Sequence, residues 1–259
     1  MLMSTKKENL EKLVRFVDEI ANQNGNEWLK RELISKFSVS DKLTSQSTID
    51  EIYEYCIRII IKEQAEKFYS DFKLNGIRGK LIADFIRMEK FRREDNFEDF
   101  CLALFQQIEG IVNELMTADI QSYIQKYQDL ETHKAKNIKT GINETQKLWQ
   151  LIFYPALTAS ELSEKISKPI LDWDFLERYK AILFIYYFNK KIYNYHDYKT
   201  IYFMGSDLYQ SRNLNHRGGK LTDKQKNTID KVTSNSYKYY FKFLGFLEEF
   251  STKVNANVL

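Results

Sequence analysis

Proline and glycine are scarce in this chain, with 2 prolines and 9 glycines among 259 residues. Average proteins carry about 12% of the two residues together, and both disfavour the interior of an α-helix. Their scarcity excludes collagen-like and linker-rich chains and argues against turn-dense all-β folds. Lysine, glutamate, leucine, isoleucine and asparagine are abundant instead. The composition therefore predicts an all-α fold.

Cysteine and histidine are also rare. Cys56 and Cys101 lie within helical patterns, which argues against a disulfide framework or a cysteine-based zinc site and is compatible with a reducing compartment. The three histidines, His133, His196 and His216, stand far apart without a second ligand at metal spacing. We therefore expect neither a metal ion nor another cofactor.

Long apolar runs are missing as well. The longest, AILFIYYF at residues 181–188, is far shorter than the roughly 20 residues that cross a bilayer, and the N-terminus lacks the apolar core of a signal peptide. The net charge is only +3, so no overall field marks a nucleic-acid-binding protein. The expectation is a cytoplasmic protein without a membrane span.

Apolar residues recur at helical spacing through most of the chain and predict a bundle of about eight or nine helices. The clearest stripe consists of Phe97, Phe100, Cys101, Leu104, Ile108, Ile111, Val112 and Leu115, with a polar side that includes Gln107. Further helices are predicted over residues 10–20, 49–72, 172–195 and 197–214, and a last one begins at the Thr222/Gln225 capping box. The stretch ETHKAKNIKTG, residues 131–141, is predicted to be an exposed loop.

Two regions are expected along the chain. The LNGIRG stretch, with Gly76 and Gly79, is predicted to end a helix and to separate the regions. Residues 1–75 form an N-terminal helical region of unknown role, which is a candidate docking region for a regulatory protein. Residues 80–259 form the main helical bundle.

A cluster of chemically useful side chains lies between the last two long predicted helices. Its members are Arg212, Asn213, Asn215 and His216, followed by the twin glycines 218 and 219. If the preceding helix continues through this segment, Arg212 and His216 share one face at spacing i, i+4. A fixed cation, a titratable imidazole and an amide donor at one helix end suit phosphodiester chemistry.

The segment Arg212-Asn213-Leu214-Asn215-His216 resembles the motif of the HEPN superfamily, helical-bundle ribonucleases with Arg, a polar residue that is often Asn, and a following His. The family usually has a longer spacing, whereas three residues separate Arg212 from His216 here. The resemblance implies a HEPN-like bundle over the C-terminal part. It also implies metal-independent RNA cleavage by attack of the ribose 2′-OH on the adjacent phosphate.

The resemblance assigns roles to the motif residues. His216 would be the general acid or base, and Arg212 would hold the phosphate and stabilise the transition state. Asn213 would orient the phosphate or the histidine. HEPN enzymes typically build the site from two copies, so a homodimer, or a pair with a second HEPN protein, is expected. A role in antiviral defence, in a toxin–antitoxin pair or beside CRISPR effectors is what the family suggests. The predicted RNA contacts are Asn215, Arg217, Lys220 and Lys224, with Lys226 beside them.

Other readings of the same residues stay open. Arg212 and His216 can also belong to an ordinary helix C-terminus, where basic residues complement the helix dipole. The lysines are likewise typical of a solvated helix start. On that reading the chain is a non-catalytic helical adaptor. Tyr237, Tyr239 and Tyr240 could stack on bases, but packing in the core or in a dimer interface is favoured. The acidic and basic run over residues 90–100 is interpreted as a salt-bridged helix entrance rather than a metal site.

Overall fold

The protein is described from a computed structural model, which covers residues 46–127, 132–136, 143–147, 167–189, 193–212 and 222–258, with the single residues Arg15 and Glu164. These residues form a predominantly α-helical protein with eight α-helices, which confirms the predicted all-α class. The helices are α1 (Gln46–Phe68), α2 (Asn75–Arg93), α3 (Phe97–Leu115), α4 (Ala118–Tyr127), α5 (Phe175–Ile182), α6 (Tyr195–Ser211), α7 (Asp223–Thr233) and α8 (Ser236–Asn257).

The chain divides into two compact units, Met1–Glu63 and Gln64–Leu259, and the division falls within α1. In the first unit, the described part of α1 covers most of the stretch predicted as a helix at residues 49–72. The predicted helix at residues 10–20 lies outside the described residues, apart from Arg15. Ala65, Tyr69 and Phe72 belong to the core of the second unit. The predicted regions 1–75 and 80–259 stay a prediction.

The core of the second unit is built around α3, which contacts α2, α5, α6 and α8. All eight residues of the predicted stripe, from Phe97 to Leu115, are buried, which confirms that prediction. The Asn96 side chain starts α3 by accepting a hydrogen bond from the Asp99 amide at 3.2 Å. The long apolar face explains why this helix becomes the centre of the bundle.

Gln107 was predicted on the polar side of α3, but it is fully buried. Its Oε1 accepts a hydrogen bond from the Tyr69 hydroxyl at 2.8 Å, and its Nε2 donates to the Ala103 carbonyl at 3.2 Å. An amide is tolerated in the core when its donor and acceptor are both satisfied. The prediction was wrong because these partners are not visible from helical spacing.

The segment predicted as one long helix over residues 172–195 is broken. A 3₁₀ turn at Ile170–Asp172 precedes α5, which continues as a π-helical turn over Leu183–Tyr187. Asn189 then adopts a left-handed conformation with φ of 49°, the usual geometry just beyond a helix end. The next helix, α6, starts at Tyr195 with the Asn194 side chain as its cap.

The predicted last helix is two helices. The Thr222/Gln225 capping box is present and starts α7, as predicted. The break before α8 falls where Thr233 Oγ1 donates to the Ile229 carbonyl and Asn235 Nδ2 donates to the Lys231 carbonyl. Such side chains compete with the helical backbone for its own hydrogen bonds, which explains the interruption.

Three short strands occur beside the helices in the described part of the chain. The stretch predicted as a loop contains β1 (Thr132–Lys136), which pairs antiparallel with β2 (Asn143–Lys147) and parallel with β3 (Tyr193–Asn194). The loop prediction was therefore wrong for β1. The LNGIRG stretch also differs from the prediction, because α1 ends at Phe68 and both glycines, Gly76 and Gly79, lie inside α2.

Disulfide bonds, clusters of metal ligands and membrane-spanning helices are absent from the described residues. Cys56 and Cys101 are free and buried, and burial raises the pKa of both thiols. No group of three or more potential metal ligands occurs within the described ranges. Among those same residues, the helices are all too short or too polar to cross a bilayer.

A polar cluster ties the π-helical turn to α8. The Tyr187 hydroxyl donates to Glu249 Oε1 at 2.5 Å, and Lys253 Nζ lies 3.1 Å from that hydroxyl and 3.0 Å from the carboxylate. Burial opposes the charged form of Glu249, but the hydrogen bonds from Tyr187 and Lys253 outweigh it and lower its pKa from the ordinary value of a glutamate. Burial, with the bond to Glu249, raises the pKa of Tyr187.

This cluster predicts a pH-dependent effect of Tyr187→Phe. A carboxyl group with a lowered pKa in the folded state stabilises the protein above its unfolded pKa and loses that contribution as the pH falls through the folded value. Near neutral pH, we expect the variant to be less stable by under about 1 kcal/mol, because the half-exposed Glu249 is screened by solvent. The difference should shrink below about pH 4. Urea unfolding of both proteins across this range checks it, and a constant difference would contradict it.

Candidate functional site

The two helices that flank the predicted motif, α6 and α7, form an antiparallel hairpin. Lys231 Nζ lies 3.0 Å from Asp207 Oδ2, and Gln225 Nε2 donates to Gln210 Oε1 at 3.3 Å. The bond to Asp207 raises the pKa of Lys231. These contacts hold the end of α6 close to the start of α7. Residues 213–221 connect the two ends.

Arg212 stands directly after the last residue of α6. Its backbone N–H donates to the Leu208 carbonyl at 3.0 Å, and its Nη1 donates to the Tyr209 carbonyl at 3.2 Å. The guanidinium carbon lies 3.8 Å from the ring centre of Tyr209 and 4.5 Å from that of Phe105. The guanidinium thus contacts two aromatic rings and one carbonyl. These contacts within the fold fix its position.

The aromatic rings under Arg212 are part of the core. Phe105 of α3 and Phe175 of α5 have ring centres 4.7 Å apart, and the Tyr209 ring stacks on Phe175 at 5.3 Å. Phe105 and Phe175 are both buried. Three helices therefore contribute to the platform on which the guanidinium lies. A planar guanidinium suits this surface better than the compact ammonium of a lysine.

The structure does not describe most of the other predicted site residues. Asn213, Asn215, His216, Arg217 and Lys220 lie outside the described residues, so their predicted roles stay predictions. Lys224 belongs to the first turn of α7, and Lys226 is exposed there.

One expectation about the motif needs correction. Arg212 and His216 were expected on one face of a helix that continues through the segment, but α6 ends at Ser211. The i, i+4 relation on α6 therefore does not bring them together.

The charged run over residues 90–100 is a helix junction. Arg92 Nη2 contacts the buried Glu89 carboxylate at 2.7 Å, and Lys90 pairs with Glu94 at 3.8 Å. The hydrogen bond from Arg92 to Glu89 raises the pKa of Arg92. The salt-bridged interpretation is confirmed, although the run holds the end of α2 as well as the start of α3.

The tyrosine cluster divides into two groups. Tyr239 and Tyr240 are buried, as the packing interpretation predicts, and the Tyr240 hydroxyl donates to Asp95 at 3.3 Å. Tyr237 is 77% exposed, so it does not pack in the core, and its place in a dimer interface stays a prediction. Tyr239 points away from Tyr237 on the helix, whereas Tyr240, three residues on, lies at the border between the exposed and the buried face of α8.

Sequence reasoning missed the partners of Arg212. Tyr209 stands three residues before it, at a spacing that places two side chains on one helix face, and this signal was available. Phe105 lies more than a hundred residues away, and nothing in its local pattern distinguishes it from other core residues.

No protein-family model matches the chain, and neither does any curated protein or any solved structure. The fold and the site therefore have to be interpreted from their own geometry. They define an all-α bundle with an arginine fixed at the connected end of a helical hairpin.

Proposed function

We propose that the chain is a HEPN-like, metal-independent RNA endonuclease whose site is the connection between α6 and α7. The observation that carries the proposal is the placement of Arg212. Its guanidinium is fixed on Phe105 and Tyr209 at the entrance to the segment that holds Asn213 and His216. A pre-positioned cation stabilises charge that develops on a phosphate without having to reorganise first.

The electrostatics of the hairpin end support an anionic ligand. The N-terminus of α7, started by the Thr222 cap, carries the partial positive charge of a helix start. Lys226 is exposed in the first turn of this helix. Together with Arg212, these groups favour a phosphate at this end of the hairpin.

In the proposed reaction, the ribose 2′ oxygen attacks phosphorus and the bond to the 5′ oxygen breaks. The products are a 2′,3′-cyclic phosphate and a free 5′-hydroxyl. His216 takes the proton from the 2′-OH or gives one to the leaving oxygen, Arg212 binds the phosphate oxygens, and Asn213 orients them. A second copy in a homodimer supplies the complementary group. Asn215, Arg217, Lys220 and Lys224 contact the RNA, in an antiviral, toxin–antitoxin or CRISPR-associated setting.

A second candidate function is a non-catalytic adaptor that binds a protein or RNA partner. One observation favours it: Arg212 already donates to a carbonyl of the last turn of α6. That is the ordinary behaviour of a basic residue that complements the C-terminus of a helix.

Cleavage of labelled single-stranded RNA in EDTA tests the proposal. We expect the wild type to cut, and Arg212→Ala and His216→Ala to lose at least about 100-fold in rate. Arg212→Lys should also be impaired, because it keeps the charge but not the planar stacking. Arg93→Ala, which removes an exposed arginine at the end of α2, is the matched control and should cut normally.

Two results would count against the nuclease. Equal cleavage by all variants would place the activity elsewhere, and no cleavage by the wild type would favour the adaptor. Sedimentation of the wild type tests the homodimer separately, since a monomer that cuts at full rate would contradict a site shared by two copies.

A further inference from the structure

The first two turns of α8 expose two large aromatic side chains. Tyr237 is 77% exposed and Phe241 is 56% exposed, and their ring centres lie 5.3 Å apart with an interplanar angle of 73°. Tyr239, Tyr240 and Phe243 of the same helix are buried in the core. A solvent-facing helix surface is ordinarily polar, so a contacting pair of exposed rings indicates a binding surface.

Gly245 keeps the Phe241 ring open. A helical side chain leans towards the N-terminus of its helix, so a side chain at position 245 would extend over position 241 one turn earlier. A Cβ atom built at Gly245 has no neighbour within 4 Å. The surface beside Phe241 is therefore empty, with room for a flat ligand.

Lysines alternate with the exposed rings. Lys238 and Lys242 are both exposed, and Lys242 Nζ lies 4.9 Å from the Tyr239 ring centre. The sequence from residue 231 to residue 247 contains three lysines and no aspartate or glutamate. The nearest acidic groups along the helix are Glu248 and Glu249, beyond Gly245. The surface made by Tyr237, Lys238, Phe241 and Lys242 is called the α8 strip below.

Charged groups on neighbouring elements are already engaged. Asp95, at the turn between α2 and α3, accepts the hydrogen bond of Tyr240, and Asp207 of α6 pairs with Lys231. Neither carboxylate is recorded in contact with Lys238 or Lys242 among the residues described. The α8 strip thus combines exposed π faces with positive charge.

We infer that the α8 strip binds single-stranded RNA. Unpaired bases stack on Tyr237 and Phe241, and Lys238 and Lys242 contact the phosphates on either side. Aromatic rings with interspersed cations are the ordinary means of binding a single strand without reading its sequence. The two exposed lysines favour a regularly charged anionic strand over an apolar protein face. This inference rests on the proposed function because it takes RNA as the ligand. It adds an RNA contact that lies outside the segment that follows Arg212.

Binding of the full chain to a fluorescent, 2′-O-methylated oligouridine tests the inference, because this RNA cannot undergo 2′-OH attack and binding is measured without cleavage. We expect the double variant Tyr237→Ala/Phe241→Ala to bind at least about 10-fold more weakly. Tyr237→Phe keeps the ring and should bind like the wild type. Phe203→Ala removes another exposed aromatic residue, of α6, and is the matched control.

The salt dependence of the affinity tests the two lysines separately. For Lys238→Ala/Lys242→Ala, we expect the slope of log affinity against log salt to fall by about 1.4, since each phosphate contact with a single strand contributes about 0.7. The aromatic double variant should keep the wild-type slope. A slope that is unchanged in the lysine variant would overturn the phosphate contacts.

The outcomes separate this inference from the proposed function. If the aromatic variant binds RNA as tightly as the wild type, or if the wild type binds none, the α8 strip is not an RNA site. If the aromatic variant changes only the sedimentation of the protein, the strip is a contact between chains and the inference is wrong. If the strip binds RNA but natural RNA is never cut, the inference stands and the nuclease proposal fails.

Discussion

Replacement of Gly205 by alanine is expected to destabilise the protein by about 2 kcal/mol, although alanine is the better helix former. Gly205 lies within α6, and a Cβ atom there would be 2.6 Å from two ring carbons of Tyr179 and 2.7 Å from its hydroxyl. The ring cannot move aside, because Tyr179 is completely buried and its hydroxyl donates to the Ile201 carbonyl at 2.8 Å. Urea unfolding followed by circular dichroism measures the change.

The same substitution at Gly245 is the control for Gly205→Ala. Gly245 also lies within a helix, but its Cβ position is open. Gly245→Ala should therefore stabilise the protein by up to about 1 kcal/mol. If both variants are stabilised, the result contradicts a close contact between Gly205 of α6 and the Tyr179 ring.

A double-mutant cycle with Tyr179→Leu identifies the cause. Leucine lacks the outer ring atoms that the new Cβ atom would meet, so the cost of Gly205→Ala should fall by most of its value in the Tyr179→Leu background. Strict additivity of the two effects would contradict a direct clash, since coupling is expected only for residues in contact.

Phe250→Ala should have the largest effect on stability, a loss of about 3–5 kcal/mol. The Phe250 ring is fully buried on α8, and its centre lies 5.7 Å from that of Tyr179, 5.9 Å from Phe246 and 6.5 Å from Tyr187. It joins α8 to α5 and to the π-helical turn. Its removal leaves a cavity among rigid rings, which cannot collapse to fill the space.

Phe241→Ala is the matched control for Phe250→Ala, because it makes the same chemical change on the same helix. Phe241 is 56% exposed, and its loss should alter the free energy of unfolding by no more than about 0.5 kcal/mol. Urea unfolding of the two variants side by side measures the contrast. Similar losses at both positions would mean that the two sides of α8 are assigned incorrectly.

Local patterns predicted the helices where one signal dominated. The stripe from Phe97 to Leu115 predicted α3 and its buried face, and the Thr222/Gln225 capping box predicted the start of α7. The breaks were missed at Asn189 and Asn235. Each break depends on a single asparagine, through its backbone conformation or its side-chain hydrogen bond. The apolar spacing continues across both breaks and therefore does not reveal them.

Tertiary contacts explain what the sequence did not reveal about the candidate site. Arg212 was recognised from its motif, but its interaction with Phe105 requires α3 and α6 to pack together. Gln107 was assigned to the polar side of its helix because its partner Tyr69 is distant in sequence. The exposed Tyr237 was grouped with its buried neighbours because composition does not distinguish the two sides of a helix.

The aromatic platform under Arg212 links this position to the folding of the second unit. A peptide that covers only residues 195–233 would contain the whole motif and both helices of the hairpin, yet it would lack Phe105 and Phe175. Its arginine would sample many orientations in water, and the entropy of fixing it would have to be supplied by the ligand. If Arg212 binds an anion, as proposed, the affinity for it is therefore coupled to the folding of the bundle and should disappear as the core melts.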